Sequence, residues 1–260
     1  MKNHLYLLVF LGIAITTIFS CTVSDVKSTS QPVSHDMWDG ILKKHVDEDG
    51  WVDYEGVIED SARLHSYLNI LEGAHPNDKN WTRDERMAYW INAYNAFTIK
   101  LIIDNYPVES IKDIKGGIAF INSVWDIKFI EIEDEKYDLN NIEHGILRPK
   151  YDDARVHFAV NCASVSCPQL ANFAFTADNL DEQLDLMGQK FLADDSKNKI
   201  ESANKATLSP IFSWFSKDFK KEGGLVKFVN RFTDNTLNED AKIDYMDYDW
   251  SLNGISNAKK

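Results

Sequence analysis

Two of the three cysteines in the 260-residue chain stand five positions apart in one segment, Arg155-Val-His-Phe-Ala-Val-Asn-Cys-Ala-Ser-Val-Ser-Cys-Pro-Gln-Leu170. A histidine, an asparagine and two thiols in so short a stretch are the residue types of a reactive centre, a metal site or a disulfide. As a reactive centre, Cys162 is the nucleophile, His144 or His157 its base, and Asn92 or Asn95 orients the imidazole or donates to an oxyanion. A thiol is mostly protonated at neutral pH, so this chemistry needs a nearby histidine or another positive influence to raise the thiolate fraction. His157, Arg148 and Cys167 are the supporting residues of this candidate site.

Cysteine, histidine and an amide serve papain-like and transglutaminase-like chemistry, so a thiol-dependent hydrolase or acyltransferase is the enzymatic reading. Those folds usually place the cysteine at a helix N-terminus, whereas Cys162 directly follows an expected strand. As a metal site, His157, Cys162 and Cys167 with His144 as fourth ligand make a zinc-type set. Their spacings are longer than the Cys-x-x-Cys pairs that specify such sites, and no cofactor is assigned. As a binding or structural module, the cysteines form a disulfide or fill core, with His157 a satisfied core residue, the commoner fate of a lone Cys or His. Trp90, Trp125, Trp214 and Trp250 either line a pocket for a peptide or small molecule or belong to the core.

The N-terminus bears on the compartment. Lys2 precedes an apolar run over residues 5–19, short of the roughly 20 residues a spanning helix needs. The run closes on Ile18-Phe-Ser-Cys21, which resembles the bacterial lipobox, although Phe19 is bulkier than the usual residue there. Residues 1–20 are therefore expected to be a cleaved lipoprotein signal peptide, with Cys21 the lipidated first residue and residues 21–34 a flexible tether. An ordinary secreted protein cut nearby, or an uncleaved anchor, is the alternative. The expected location is the bacterial cell envelope, on the periplasmic or outer-membrane side, with the membrane as a partner through the lipid. A net charge of −13 disfavours nucleic acid as a partner. An oxidising compartment would also permit a Cys162–Cys167 disulfide.

The elements that must position these residues are mostly helical. Ser34 opens a helix to His45, residues 50–54 read as a short strand, and residues 58–71 as a second helix. Thr82 with Glu85 forms a capping box, and Met87, Trp90, Ile91, Tyr94, Phe97 and Leu101 follow at helical spacing until Tyr106-Pro107. Asn92 and Asn95 share a face of that helix, where they serve the site or tie the helix to a neighbouring loop's backbone. Residues 125–132 and those around Tyr137 read as strands, and Asn140 with Glu143 caps a short helix over residues 141–148 that Pro149 stops. His144 and Arg148 lie four apart on it. In residues 155–161, Val156, Phe158 and Val160 alternate with His157, Ala159 and Asn161, the pattern of a strand. Residues 177–191 read as a helix, 199–208 as a hairpin, 210–222 and 225–232 as helices, and 242–248 as a strand. The expected fold is α+β: a helix-rich single domain over residues 35–253 around a small, mainly antiparallel sheet, with residues 254–260 frayed.

Four strings occur together and in order: Tyr89-Trp-Ile-Asn-Ala-Tyr-Asn95, Ile142-Glu-His-Gly-Ile-Leu-Arg148, the cysteine segment through Cys167-Pro168, and Tyr248-Asp-Trp-Ser-Leu-Asn253. This set resembles the domain of unknown function 547 family over most of the mature chain. In bacteria the resemblance implies an envelope protein, often lipid-anchored, of unassigned biochemistry; it implies no activity. Asn92, Asn95, His144, Arg148, His157 and Cys162 fall on the family's motif positions. Plant relatives carry serine where this chain has Cys167, which weighs against an essential disulfide or a metal site needing both sulfurs.

Overall fold

The computed structural model describes residues 28–115, 123–234 and 236–258, so the expected signal peptide and Cys21 lie outside the described residues. Among those residues no helix is long and apolar enough to cross a membrane. Three helices come first: α1 (Asp36–His45), α2 (Tyr54–Glu59) and α3 (Ser61–Glu72). They lead to α4 (Arg83–Ile103), whose N-terminus is fixed by the capping box. The Glu85 N–H donates to Thr82 Oγ1 at 3.2 Å and the Thr82 N–H to Glu85 Oε2 at 2.6 Å. From Met87 to Ile99 every residue of α4 is buried, as in a helix enclosed by its neighbours rather than one with a wet face. It packs against α3 on one side and against residues 141–147 on the other.

Strands β1 (Ile130–Ile132) and β2 (Glu135–Tyr137) form an antiparallel hairpin whose turn residues, Glu133 and Asp134, have φ of 45° and 68°. A π-helical run over Asn141–Leu147 continues into α5 (Arg148–Tyr151). Pro149 therefore does not stop the helix. It sits where the π-helical run passes into α5, and the chain leaves only at Asp152, in the left-handed region at φ 51°.

The alternating segment 155–161 is not a strand. Residues Val156–Ala159 form the short helix α6, followed by extended backbone at Val160. Both sets of its alternating side chains are buried, so the pattern never marked a wet face and a dry one. Phe158 anchors it: its ring lies 5.4 Å from Phe191, 5.7 Å from Phe228 and 5.7 Å from Phe232. A Cβ on Gly188 would come within 2.8 Å of Phe232 and 3.1 Å of Phe158, so this close ring packing needs the glycine.

Beyond α7 (Leu180–Ala193), the hairpin β3 (Lys199–Ser202) and β4 (Lys205–Leu208) forms as expected. The helix expected after Ser209 is broken at Phe215 into α8 (Ile211–Trp214) and α9 (Ser216–Lys221). After these come α10 (Leu225–Val229) and β5 (Lys242–Tyr245), which pairs with β4 in parallel. The α+β class holds, but two small sheets replace the single one expected, and one of their three strand pairs is parallel. The strand expected at residues 50–54 reduces to Val52, which bridges Val46 and Gly254.

Both ends of the described chain are drawn onto the domain. Ser30, in the expected tether, donates through Oγ to His75 O at 2.5 Å and accepts at its carbonyl from Trp81 Nε1 at 3.1 Å. Ile255, expected to fray, donates its N–H to Val52 O at 3.0 Å.

His35, at the N-cap of α1, faces the Tyr67 hydroxyl at 2.7 Å through Nδ1. Burial lowers its pKa from 6.5 to about 4, against the opposing charge of Asp36. Between those values the unfolded chain binds a proton that the folded chain does not. Stability is therefore present above about pH 6.5 and lost as pH falls toward 4, by a few kcal/mol. Burial lowers His75 and His157 in the same direction. Urea midpoints are expected to fall between about pH 7 and about pH 4.5, and less steeply in a His35→Gln variant. Equal slopes in the two proteins would contradict a neutral buried His35.

Candidate functional site

The loop that carries both thiols is set by amides. Asn95 on α4 donates from Nδ2 to Ala159 O at 2.9 Å and accepts at Oδ1 from the Asn161 N–H at 2.9 Å. One side chain thus meets the backbone as a strand partner would, at the point where α6 gives way to the loop. Asn92, a turn earlier, grips Phe175 in the same way, with Nδ2 to O at 2.8 Å and N–H to Oδ1 at 3.0 Å. Asn161 closes the loop by donating from Nδ2 to Pro168 O at 2.7 Å, while its Oδ1 accepts from the Ala163 N–H at 2.8 Å and from Asn253 Nδ2 at 3.3 Å. Tyr54 Oη donates to Asn253 Oδ1 at 2.7 Å. Ala163 is held in the left-handed region at φ 60°, a strained setting for alanine that this Asx-type contact supports.

The loop brings the sulfurs of Cys162 and Cys167 to 3.2 Å as free thiols, Cys162 partly exposed and Cys167 buried. The Cys162 N–H donates to Cys167 Sγ at 3.1 Å. Cys162 Sγ also meets Ser164 Oγ at 3.2 Å and Tyr248 Oη at 3.5 Å. Hydrogen bonding with Cys167, and then with the two hydroxyls, outweighs burial and the repulsion of Glu143 and lowers the Cys162 pKa from 9.0 to about 7. Burial, and then the neighbouring Cys162, push Cys167 the opposite way. Cys162 is thus the more readily ionised sulfur of the pair, and Cys167 the one that holds its proton more tightly.

Opposite the loop stand residues from the π-helical run, α6 and the break at Phe215. Arg148 Nη1 donates to His144 Nδ1 at 3.1 Å, and since a guanidinium only donates, His144 carries its hydrogen on Nε2. Asp218 on α9 accepts at Oδ2 from Arg148 Nε at 2.6 Å and from His157 Nε2 at 2.9 Å. The bond from His157 and then those from Arg148 hold its carboxyl well below the usual carboxylate range. Burial lowers the pKa of His157, whose ring stacks on Phe215 at 4.0 Å. Its Nδ1 has no hydrogen-bond partner among the described residues and lies 3.9 Å from Glu143 Oε1. Glu143 is itself buried, and burial raises its pKa.

Most of these groups line one pocket of about 200 Å³, with Arg148, Asp218 and Ser164 set behind its wall. Cys162, Cys167, His144, His157 and Glu143 share its wall with Trp125, Trp214, Tyr248 and Trp250, so three of the four tryptophans singled out from sequence reach it. Trp90 does not, and packs in the core against Tyr89 and Tyr137. A larger cleft of about 710 Å³ lies on the other side of the loop and shares Cys167, but its wall is mainly charged and polar and excludes Cys162. The smaller pocket is the chemically equipped one.

Of the residues named from sequence, Cys162, His144, His157 and Cys167 converge here, with Arg148 behind His144. Asn92 and Asn95 do not line the pocket; both their amide ends are spent on backbone. No group of three or more His, Cys, Asp and Glu side chains among the described residues is arranged to hold a metal ion. Glu143, Ser164, Asp218 and Tyr248 were not named as site residues. Glu143 and Tyr248 stand inside the motif strings and Ser164 inside the cysteine segment. Asp218 lies in a charged stretch that reads as a solvated face, and nothing local marks it.

The fold and site together define a helix-rich α+β domain with a paired-thiol pocket assembled from distant segments. A family described as "Protein of unknown function, DUF547" matches residues 79–192, which supports that family over less than half of the chain. The matched stretch contains both clamping asparagines, both pocket histidines and both thiols; Asp218 and Tyr248 fall outside it. No curated protein and no solved structure matches.

Replacing Asn95 with alanine leaves the Ala159 carbonyl and Asn161 N–H buried without partners. The expected loss is about 2–5 kcal/mol of unfolding free energy, read from urea denaturation. A change below about 0.5 kcal/mol would show that the clamp is dispensable.

Proposed function

We propose that this chain is a thiol-dependent hydrolase or acyltransferase whose nucleophile is Cys162. The observation that carries the reading is the setting of that sulfur, partly exposed on a pocket wall and within hydrogen-bond reach of Cys167 Sγ, Ser164 Oγ and Tyr248 Oη. A thiol whose pKa is lowered to about 7 needs no histidine base, so the imidazole takes a different part. The thiolate attacks a substrate carbonyl carbon, and the His144 Nε2–H donates a hydrogen bond to the oxyanion. Glu143, kept toward its protonated form by burial, gives its proton to the leaving group as the C–X bond breaks, leaving a thioester on Cys162. The carboxylate so formed takes a proton from the water or acceptor that then attacks the thioester, which restores Cys162 and Glu143. Asn92 and Asn95 are positioning residues in this scheme. The pocket's size and aromatic wall suit one ring-sized or side-chain-sized group of a peptide or small molecule.

The same proposal places the domain at the cell envelope, anchored through a lipid on Cys21. Its support is the short apolar leader ending in a lipobox-like string and the acidic chain, which disfavours nucleic acid.

A panel of activated esters and peptidyl thioesters is expected to leave an acyl group on Cys162, seen by intact mass and peptide mapping, and to leave none on a Cys162→Ala variant. Glu143→Gln is expected to slow turnover of amide substrates about a hundredfold while sparing acylation by activated esters, whose leaving groups need no proton. Absence of any Cys162 adduct across the panel would contradict the chemistry. For the anchor, Cys21→Ser is expected to move the expressed protein from the membrane pellet to the soluble fraction, and unchanged partitioning would contradict it.

A further inference from the structure

Acyl transfer needs one sulfur, yet this pocket holds two within 3.2 Å. The second, Cys167, is buried, so a small reagent entering the pocket meets Cys162 first. The four residues between them are fixed at both ends: Asn161 grips Pro168 O, and the Val165 and Ser166 N–H groups donate to Ser251 O at 2.9 Å and Asp249 O at 3.2 Å. The sulfurs are therefore held as neighbours by the loop. A disulfide requires about 2.05 Å between them, an approach of about one ångström from where they stand.

We infer that Cys167 is a resolving thiol, and that the pair is a site of reversible oxidation by hydroperoxides. The Cys162 thiolate attacks one peroxide oxygen, the O–O bond breaks, and the departing oxygen takes a proton to leave as water or an alcohol. Cys162 is oxidised to the sulfenic acid and the peroxide reduced by two electrons. Cys167 sulfur then attacks Cys162 sulfur; the S–S bond forms, the S–OH bond breaks, and hydroxide leaves as water with the proton of Cys167. With hydrogen peroxide, two thiols and one peroxide give one disulfide and two waters. The local geometry favours the second step. The Cys162 N–H already points at Cys167 Sγ, where it stabilises charge as that sulfur deprotonates. Oxidation also removes the negative charge on Cys162 that helped keep Cys167 protonated. The disulfide spares Cys162 from the sulfinic acid, which a thiol reductant does not reverse, and withdraws the nucleophile until it is reduced.

The inference rests on the proposed reactivity of Cys162 but not on acyl transfer. The test treats reduced, desalted protein with hydrogen peroxide and follows intact mass, peptide maps and iodoacetamide labelling. The wild type is expected to lose two hydrogens, yield a Cys162–Cys167 cross-linked peptide, lose iodoacetamide labelling at Cys162, and recover it fully with dithiothreitol. Cys167→Ser is expected to give a dimedone-trapped Cys162 and then a gain of two oxygens, at least about tenfold faster than the wild type. Should that variant not fold, the wild type's own ratio of cross-link to sulfinic acid decides. Rapid iodoacetamide labelling of the reduced wild type followed by sulfinic acid without cross-link would overturn the inference and leave the nucleophile standing. Inertness of Cys162 to both reagents would overturn both.

Discussion

The thiol loop depends on one contact, the two-point grip of Asn95 on the backbone at Ala159 and Asn161. A buried backbone N–H or C=O without a partner costs roughly 1–3 kcal/mol, and the chain turns here from α6 into a loop with no strand beside it to satisfy those groups. Asn95 supplies the missing ladder from a side chain. Asn161, Asn253 and Tyr54 extend the same device, so that a chain of buried amides and one hydroxyl links α4, the cysteine loop, the C-terminal segment and the start of α2. Since α4 is buried without interruption from Met87 to Ile99, the reactive loop is referenced to a long enclosed helix.

The opposite wall is held by charge. Asp218 gathers Arg148 and His157 at a single oxygen, and Phe215, placed by the break between α8 and α9, stacks on the His157 ring and lies under the Arg148 guanidinium at 4.8 Å. Arg148 in turn fixes the His144 tautomer. The π-helical run lets consecutive residues, Glu143 and His144, both reach the pocket, a use for which such runs are suited. The two walls assign unequal tasks to like groups: one thiol is shifted toward its thiolate and its neighbour away from it, and one imidazole is partly exposed with its tautomer set while burial lowers the pKa of the other.

Much of this was legible in the chain and some was not, for physical reasons. The capping box and periodicity of α4 rest on local hydrogen bonds and one helix face, and local sequence reports both. The pairing of His144 with Arg148 follows from four-residue spacing and survives the change from α to π geometry. The backbone role of Asn92 and Asn95 was one of two readings left open, because spacing shows that amides share a face without showing what meets them. The segment 155–161 misled because its alternation reflects residue choice in a fully enclosed stretch, where no solvent boundary exists to alternate across. Asp218 and Tyr248 join the site over separations of 61 and 86 residues, a tertiary fact that nothing local to Asp218 marks and that the motif string at Tyr248 does not specify.

The account turns on a charged Cys162 sustained by its three neighbours, and the pH dependence of its alkylation measures that charge directly. Iodoacetamide labelling of Cys162, resolved from Cys167 by peptide mapping, is predicted to rise through a half-maximum near pH 7, and to shift upward in Tyr248→Phe and Ser164→Ala. A half-maximum at the ordinary thiol value of 9.0, unchanged in both variants, would contradict it.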